Sequence, residues 1–281
     1  MRIVVLGAGG LLGRHVVEEL RCAGGGDIAG FTRAECNIAD AAAVRARVAG
    51  ASIAVNCAAF TNVDGAEKNE DDAYRINALG AENVARAAAD AGARVVHVST
   101  DFVFDGAQPE PYDELARPNP LSVYARSKWA GEELVQRRCA ELFLVRVQGL
   151  YGRGGSNFSS RLRQLVLDGK QLTLDGERRV QPTWARSAAR QIIALAATDD
   201  YGTYHVSCKG ETTWAGFTER LAERLQQPPR WQVVRSDELA APARRPPNCL
   251  FRHRMLGLRG LDRMPTWQAA QDEYLAEEAA T

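Results

Sequence analysis

The chain has 281 residues, 46% of them hydrophobic, which excludes a disordered chain and allows a large core and two domains. Lys+Arg and Asp+Glu both number 35, so the formal net charge is zero and no basic face for nucleic acid is indicated. No apolar run is long enough to cross a bilayer, and the start, MRIVVLG, lacks the apolar stretch and cleavage site of a signal peptide; a cytoplasmic location without a membrane partner is expected.

RIVVL (Arg2 to Leu6) is a short apolar run that predicts a buried strand. LGAGGLLG follows, with Gly7, Gly10 and Gly13 evenly spaced, and then the helical pattern LLGRHVVEEL. Glycines let a backbone turn tightly and approach a pyrophosphate, which then rests on the helix N-terminus. Glycines also serve ordinary turns. Their position here, straight after the first strand and opening a helix, points to a dinucleotide.

DIAGF (Asp27 to Phe31) predicts the second strand. An acid at its end would bind a ribose 2′-hydroxyl, whereas an arginine accepts a 2′-phosphate. GFTRAECN offers Arg33 and no acid immediately at the strand end, which favours NADPH over NADH; the alternative is that Arg33 is a solvated loop residue.

SIAVN (Ser52 to Asn56), RVVHVS (Arg94 to Ser99) and LFLVRV (Leu142 to Val147) predict further strands. Helical patterns lie between them, among them AYRINALGAENVARAAADAG and SKWAGEELVQRR. Apolar strands alternating with helices predict an α/β fold, a doubly wound parallel sheet of the Rossmann type with ligands beyond the carboxyl ends of its strands. After Tyr151 the pattern changes to short elements and proline-rich loops (QPTW, QQPPRW, APARRPPNCL), which predicts a smaller C-terminal α+β part. A dinucleotide-binding domain is thus expected over residues 1–150 and a substrate-binding part over 151–281, with 184–206 crossing back to the first.

The cysteines, Cys22, Cys36, Cys57, Cys139, Cys208 and Cys249, include no C-x-x-C pair, so reduced thiols are expected. His15, His97, His205 and His253 show no ligand spacing; structural or surface roles and no metal site are expected.

Ser99, Thr100 and Asp101 come off the fourth strand, where the crevice is expected. SVYARSK then places Tyr124 and Lys128 four residues apart, on one helical face. A free phenol has a pKa of about 10, and a nearby ammonium is expected to lower it. Such a phenol can exchange a proton with the oxygen of a carbonyl or alcohol, with Thr100 bonded to the same oxygen and Lys128 also serving the cofactor ribose. Alone, Y-x-x-x-K is a common exposed helix pair.

The conjunction of glycine loop, Ser-Thr after the fourth strand and Tyr-x-x-x-Lys on the next helix resembles the extended short-chain dehydrogenase/reductase superfamily. Within it the chain is similar to dTDP-4-dehydrorhamnose reductases over nearly its whole length. NCAAFTNVDGAEKNEDDAYRINALGAENVARAA, VHVSTDFVFDG, PYDE, NPLSVYARSKWAGEE, LYGRGGSNF, QPTW and ARRPPN stand in that family's order. The resemblance implies that Tyr124 is the proton donor, Lys128 its partner and Thr100 the group that tunes the carbonyl. It implies that Asp101 contacts substrate, that Gly10, Leu11, Leu12, Ala59, Phe60 and Thr61 line the cofactor, and that Asn37 and Ile38 lie near the adenine.

Two segments depart from the family's pattern. Where it often has arginine-threonine-serine-tryptophan, this chain has Arg146, Val147, Gln148 and Gly149. The tryptophan packs on the sugar in the family, so Gly149 predicts a substrate pocket that is wider or lined by another aromatic, Trp184 or Phe158. Ahead of the proline-threonine, Glu177, Arg178, Arg179 and Val180 replace aspartate-glutamine-x-glycine.

The expected function is NADPH-dependent reduction of a keto group on a nucleotide-linked deoxysugar, and the oligomeric state is left open, a homodimer included. Two alternatives stand. One is a binding protein without catalysis, like the regulatory β subunit of methionine adenosyltransferase, which resembles this family and also lacks the tryptophan. The other is an epimerase on the same fold; a dehydratase is disfavoured because Phe102, not an acid, follows Asp101.

Overall fold

Val4, Val5 and Leu6 are fully buried in the middle of strand β1 (Arg2–Leu6), in a computed structural model that describes residues 1–24, 26–155, 157–239 and 241–280. The first half of the chain continues as α1 (Leu11–Cys22), β2 (Asp27–Phe31), α2 (Ala41–Val48), β3 (Ile53–Asn56), α3 (Val63–Ala66) and α4 (Glu70–Tyr74). A π-helical segment, Arg75–Gly80, then leads into α5 (Ala81–Asp90), β4 (Arg94–Thr100), α6 (Val123–Arg138) and β5 (Leu142–Val147).

The second half comprises β6 (Leu150–Tyr151), α7 (Phe158–Leu167), β7 (Leu172–Asp175), β8 (Thr183–Trp184), α8 (Ala185–Ala196) and β9 (Gly202–Val206). It ends with α9 (Trp214–Arg224), β10 (Trp231–Val234), α10 (Arg254–Leu258) and α11 (Trp267–Ala279). Among the described residues no helix is long and apolar enough to cross a membrane.

Six strands form one sheet in the order β2-β1-β3-β4-β5-β9, every pairing parallel. Side chains alternate across a strand, so β1 sends Ile3 and Val5 into one core layer and Val4 and Leu6 into the other. The first layer is filled by Val16 and Leu20 of α1 and Ile192 of α8, the second by Val44 of α2, Val84 of α5 and Val135 of α6. The expected doubly wound sheet is therefore present. Two smaller pairs, β10 with β7 and β6 with β8, flank it.

The five expected strands are found, with β3 beginning at Ile53 and β4 running on to Thr100. After β8 the chain rejoins the first sheet: α8 packs on α1, and β9 pairs with β5, Tyr204 opposite Val145. The long helical pattern ending at Asp90 is interrupted by the π-helical segment, which the hydrophobic periodicity does not show. Such segments occur frequently at functional sites.

Candidate active site

A cavity of about 800 Å³ opens beyond the carboxyl ends of β1, β3, β4 and β5, beside the point where the strand order reverses. One end is made by the loop after β1, including Gly7, Gly10, Leu11 and Leu12. The residues after β2 and β3, Arg33, Asn37 and Ile38, then Ala59, Phe60 and Thr61, complete that end. Gly13 does not line the cavity; it lies beneath it.

Gly7 takes φ +81°, and a Cβ there would lie 2.6 Å from the Ala58 nitrogen. A Cβ on Gly13 would lie 2.3 Å from the Gly7 oxygen, so its role is to let α1 approach the loop. Gly10 caps α1 with extended backbone and no side-chain bond, which leaves the helix N-terminus turned to the cavity without a chain acceptor. This cradle fits a pyrophosphate.

Beyond β2, Glu35 has its carboxylate bound by the Thr32 backbone N–H and hydroxyl, both at 2.8 Å. Those two hydrogen bonds hold the Glu35 carboxyl below the usual carboxylate range. The nearest acid is thus turned back on its own loop, while Arg33 stands exposed on the cavity rim.

The Phe60 backbone is clamped from both sides by Asn77, whose Oδ1 accepts from Phe60 N at 2.8 Å and whose Nδ2 donates to Phe60 O at 3.1 Å. The same Nδ2 donates to Ser127 Oγ at 2.9 Å, and Ser127 donates to the Tyr124 carbonyl at 2.8 Å. Asn77 therefore ties the Phe60 loop of the cavity to α6. Sequence reasoning missed it; its one signal was an asparagine inside a helical pattern, where that residue is a poor former.

Ser122 starts α6 by accepting from Ala125 N at 3.2 Å, which puts Tyr124 in the first turn and Lys128 one turn on. Both line the cavity. The Tyr124 ring meets Phe102 edge-on at 6.2 Å, and Thr100 lines the cavity with it. The buried Lys128 ammonium donates to the Val98 carbonyl at 2.7 Å.

The expected lowering of the phenol's pKa by the ammonium is not found. Burial pushes Tyr124 up to about 12, with Thr100 opposing the rise and the Asp101 charge adding to it. Burial also brings Lys128 down to about 8, against the charges of Glu132 and Cys57. The two groups share a face, but dehydration is the largest influence on each. The phenol consequently keeps its proton throughout the neutral range.

At the far end lie Thr100, Asp101, Gln148, Gly149, Arg178 and Trp214. Thr100 Oγ1 donates to Asp101 Oδ1 at 3.0 Å, and Gln148 Nε2 donates to Asp101 Oδ2 at 3.0 Å. Burial raises Asp101 to about 6 in spite of both bonds and of the Arg178 charge. Gly149 has φ +56°, and a Cβ there would come within 3.2 Å of the Gln181 oxygen, so the backbone itself disfavours a large residue.

The aromatic on this wall is neither of the two expected. Trp184 is buried in the core against Tyr274, and Phe158 is an exposed residue that does not line the cavity. Trp214, at the start of α9, is the tryptophan that does. Of the altered segment, Arg178, Arg179 and Val180 reach the cavity. Arg178 pairs with Asp175 at 3.2 Å and keeps a buried Nε without a hydrogen-bond partner.

A pyrophosphate cradle facing a protonated tyrosine, with a lysine on the same helix, defines a nicotinamide-dependent oxidoreductase of the short-chain dehydrogenase type. A family model described as the RmlD substrate binding domain matches residues 1–280, and the chain belongs to that family. The dTDP-4-dehydrorhamnose reductase of Mycobacterium tuberculosis is 35% identical, the match covering 99% of this chain and 93% of the relative. A dTDP-4-keto-6-deoxy-D-glucose reductase of Streptomyces niveus is 36% identical, over 96% and 94%. A dTDP-4-dehydrorhamnose reductase structure from Bacillus anthracis, solved in complex with NADP, superposes with a TM-score of 0.95 at 36% identity, over 98% of this chain and 99% of that one. The expected family, enzyme class and nicotinamide cofactor are borne out by these matches.

Proposed function

We propose that the protein reduces the 4-keto group of a dTDP-linked deoxysugar, dTDP-4-dehydrorhamnose foremost, using NADPH. The observation that carries this reading is that Tyr124, Lys128 and Thr100 line the same cavity as the glycine cradle. Gly7, Gly10, Leu11 and Leu12 would hold the pyrophosphate, Arg33 the 2′-phosphate, Asn37 and Ile38 the adenine side, and Ala59, Phe60 and Thr61 the inner face of the cofactor. The bound nicotinamide would supply a hydride to the carbonyl carbon.

The chain's own part is to place the sugar and complete the proton transfer. Thr100 and Tyr124 donate to the carbonyl oxygen, which gains negative charge as the carbon is reduced. Tyr124 then releases its proton to that oxygen. A phenol held at about 12 is an acid matched to a forming alkoxide and stays loaded at neutral pH. Lys128 supports the phenol's charge as the proton leaves and serves the ribose. Asp101 and Gly149 line the sugar end.

The test is NADPH absorbance with dTDP-4-dehydrorhamnose as substrate. One NADPH consumed per sugar reduced is the expected result. Cofactor left unchanged would support the binding-protein alternative, and an isomerised sugar without net oxidation would support an epimerase.

Arg33→Ala is expected to weaken NADPH binding about 10- to 100-fold with little change for NADH, since a charge-assisted hydrogen bond contributes about 1.5–3 kcal/mol. Titrating both cofactors into wild type and variant checks it. A variant that keeps the wild-type preference makes Arg33 a solvated loop residue.

A further inference from the structure

Residues 241–247, APARRPP, form neither helix nor strand, and the three prolines among them offer no backbone N–H. Side-chain contacts must therefore hold this segment. Asp64, in α3 and 181 residues before Arg245, supplies them. Its Oδ1 accepts from Ala243 N at 3.1 Å and from Arg245 Nη1 at 2.9 Å, and its Oδ2 accepts from Arg245 Nη2 at 2.7 Å. Arg245 Nη1 also donates to the Ala243 carbonyl at 3.1 Å, so both backbone polar groups of the buried Ala243 are engaged. Val63, next to Asp64, and Pro246, next to Arg245, both line the cavity.

The same short helix seats the proton donor. Ala66 of α3 packs with Ala73 and Val123, and Phe60, Tyr74 and Tyr124 close around them. Glu67, straight after α3, accepts from Val123 N at 2.8 Å, one residue before Tyr124. We propose that Asp64 and Arg245 are positioning residues, whose pair latches the substrate-side segment 243–246 onto the helix against which Tyr124 is seated. The proposal rests on the reductase reading for its effect on turnover. The two residues act through Pro246 and Tyr124, not on the reacting atoms.

The Asp64 and Arg245 side chains are 40% and 22% exposed, and a pair so placed adds little to global stability. Its geometry is nonetheless the strong one, a bidentate guanidinium–carboxylate contact with a backbone N–H added. The pair therefore governs local opening of the segment more than unfolding of the chain. The far end stays fixed without it: Asn248 Nδ2 donates to the Gln108 carbonyl at 2.9 Å, and Gln148 Nε2 donates to the Cys249 carbonyl at 2.5 Å. Breaking the pair thus frees the end near Ala243 and moves Pro246 away from the cavity. Only the latched fraction binds sugar well, so KM rises as that fraction falls, while saturating sugar restores the latched form and spares kcat.

The test is a double-mutant cycle on the full chain, with Asp64→Asn, Arg245→Met and both together, read by NADPH oxidation with dTDP-4-dehydrorhamnose and by NADPH titration. Each single variant is expected to raise KM for the sugar about ten-fold with a smaller fall in kcat and NADPH affinity kept. The double variant is expected to be no worse than either single one, because the two residues act as a unit. Losses that multiply in the double variant would make Arg245 a direct substrate ligand and overturn the latch, as would an unchanged KM in Arg245→Met. Limited trypsin digestion gives a readout free of catalysis. Arg244 is exposed beside the pair, and cleavage after it is expected to quicken about ten-fold in Asp64→Asn while other sites keep their rates. Should Asp64→Asn not fold, Arg245→Lys, which keeps the charge and loses the fork, is read instead; wild-type KM and wild-type cleavage in that variant overturn the latch. A wild type that oxidises no NADPH defeats the reductase reading, and the cleavage rates then decide the latch by themselves: unchanged cleavage after Arg244 overturns it, and quickened cleavage supports it.

Discussion

Tyr124→Phe is expected to lower turnover by about 10²- to 10⁴-fold, the usual contribution of a positioned general acid. The substitution removes only the hydroxyl. The ring keeps its edge-on contact with Phe102, and α6 keeps the Ser122 cap that orients it. Cofactor affinity should therefore stay close to wild type, so the loss falls on kcat. Lys128→Ala should damage turnover and cofactor binding together, because the ammonium is asked to serve both. Thr100→Ala should cost less, since the phenol still reaches the carbonyl oxygen. NADPH oxidation and cofactor titration on the three variants separate these patterns. Full turnover in Tyr124→Phe would sink the mechanism.

Glu132→Ala should produce the largest loss of stability, about 3–5 kcal/mol, through a different part of the same framework. The Glu132 carboxylate receives the Arg146 guanidinium at 2.7 Å from NH2 and at 3.1 Å and 3.3 Å from Nε. Both side chains are buried, and Arg146 also stands over the Phe104 ring at 5.2 Å. Removing the carboxylate leaves a guanidinium in the core with no countercharge. The pair joins α6, one turn after Lys128, to β5, two residues before Gln148, so its loss should also loosen the site. Denaturant unfolding measures the effect, with Asp72→Ala as control. Asp72 pairs with Arg75 at the surface, where such pairs contribute about 0–1 kcal/mol. Equal losses from the two variants would show that the buried pair is not the anchor described.

Much of the site was legible because its parts are local. The glycine loop is recognised from spacing within one strand-turn-helix unit, and Tyr124 and Lys128 from spacing within one helix. What escaped was environment. Spacing predicts that a phenol and an ammonium share a face, but not that burial would push the phenol up to about 12. Gln148 was seen only as a residue out of place, since a lone glutamine has no pattern. Its partners Asp101 and Cys249 are 47 and 101 residues away in the chain.

The sequence by itself determined the five leading strands, the alternation that makes their sheet parallel and two-faced, the glycine loop that opens α1 and the Tyr-Lys helix. Each depends on periodicity or spacing inside one element, which backbone geometry converts directly into shape. Only the tertiary structure decided that the segment expected to cross back pairs as β9 with β5 and that the helix before β4 contains a π-helical segment holding Asn77 against Phe60. It also decided between the tryptophans. Trp184 precedes α8, whose apolar stripe draws it into the core, whereas Trp214 begins α9 at the cavity wall. Both are apolar and both stand at the start of a helix, so composition cannot rank them; which one lines the cavity depends on how the two helices pack against the sheet.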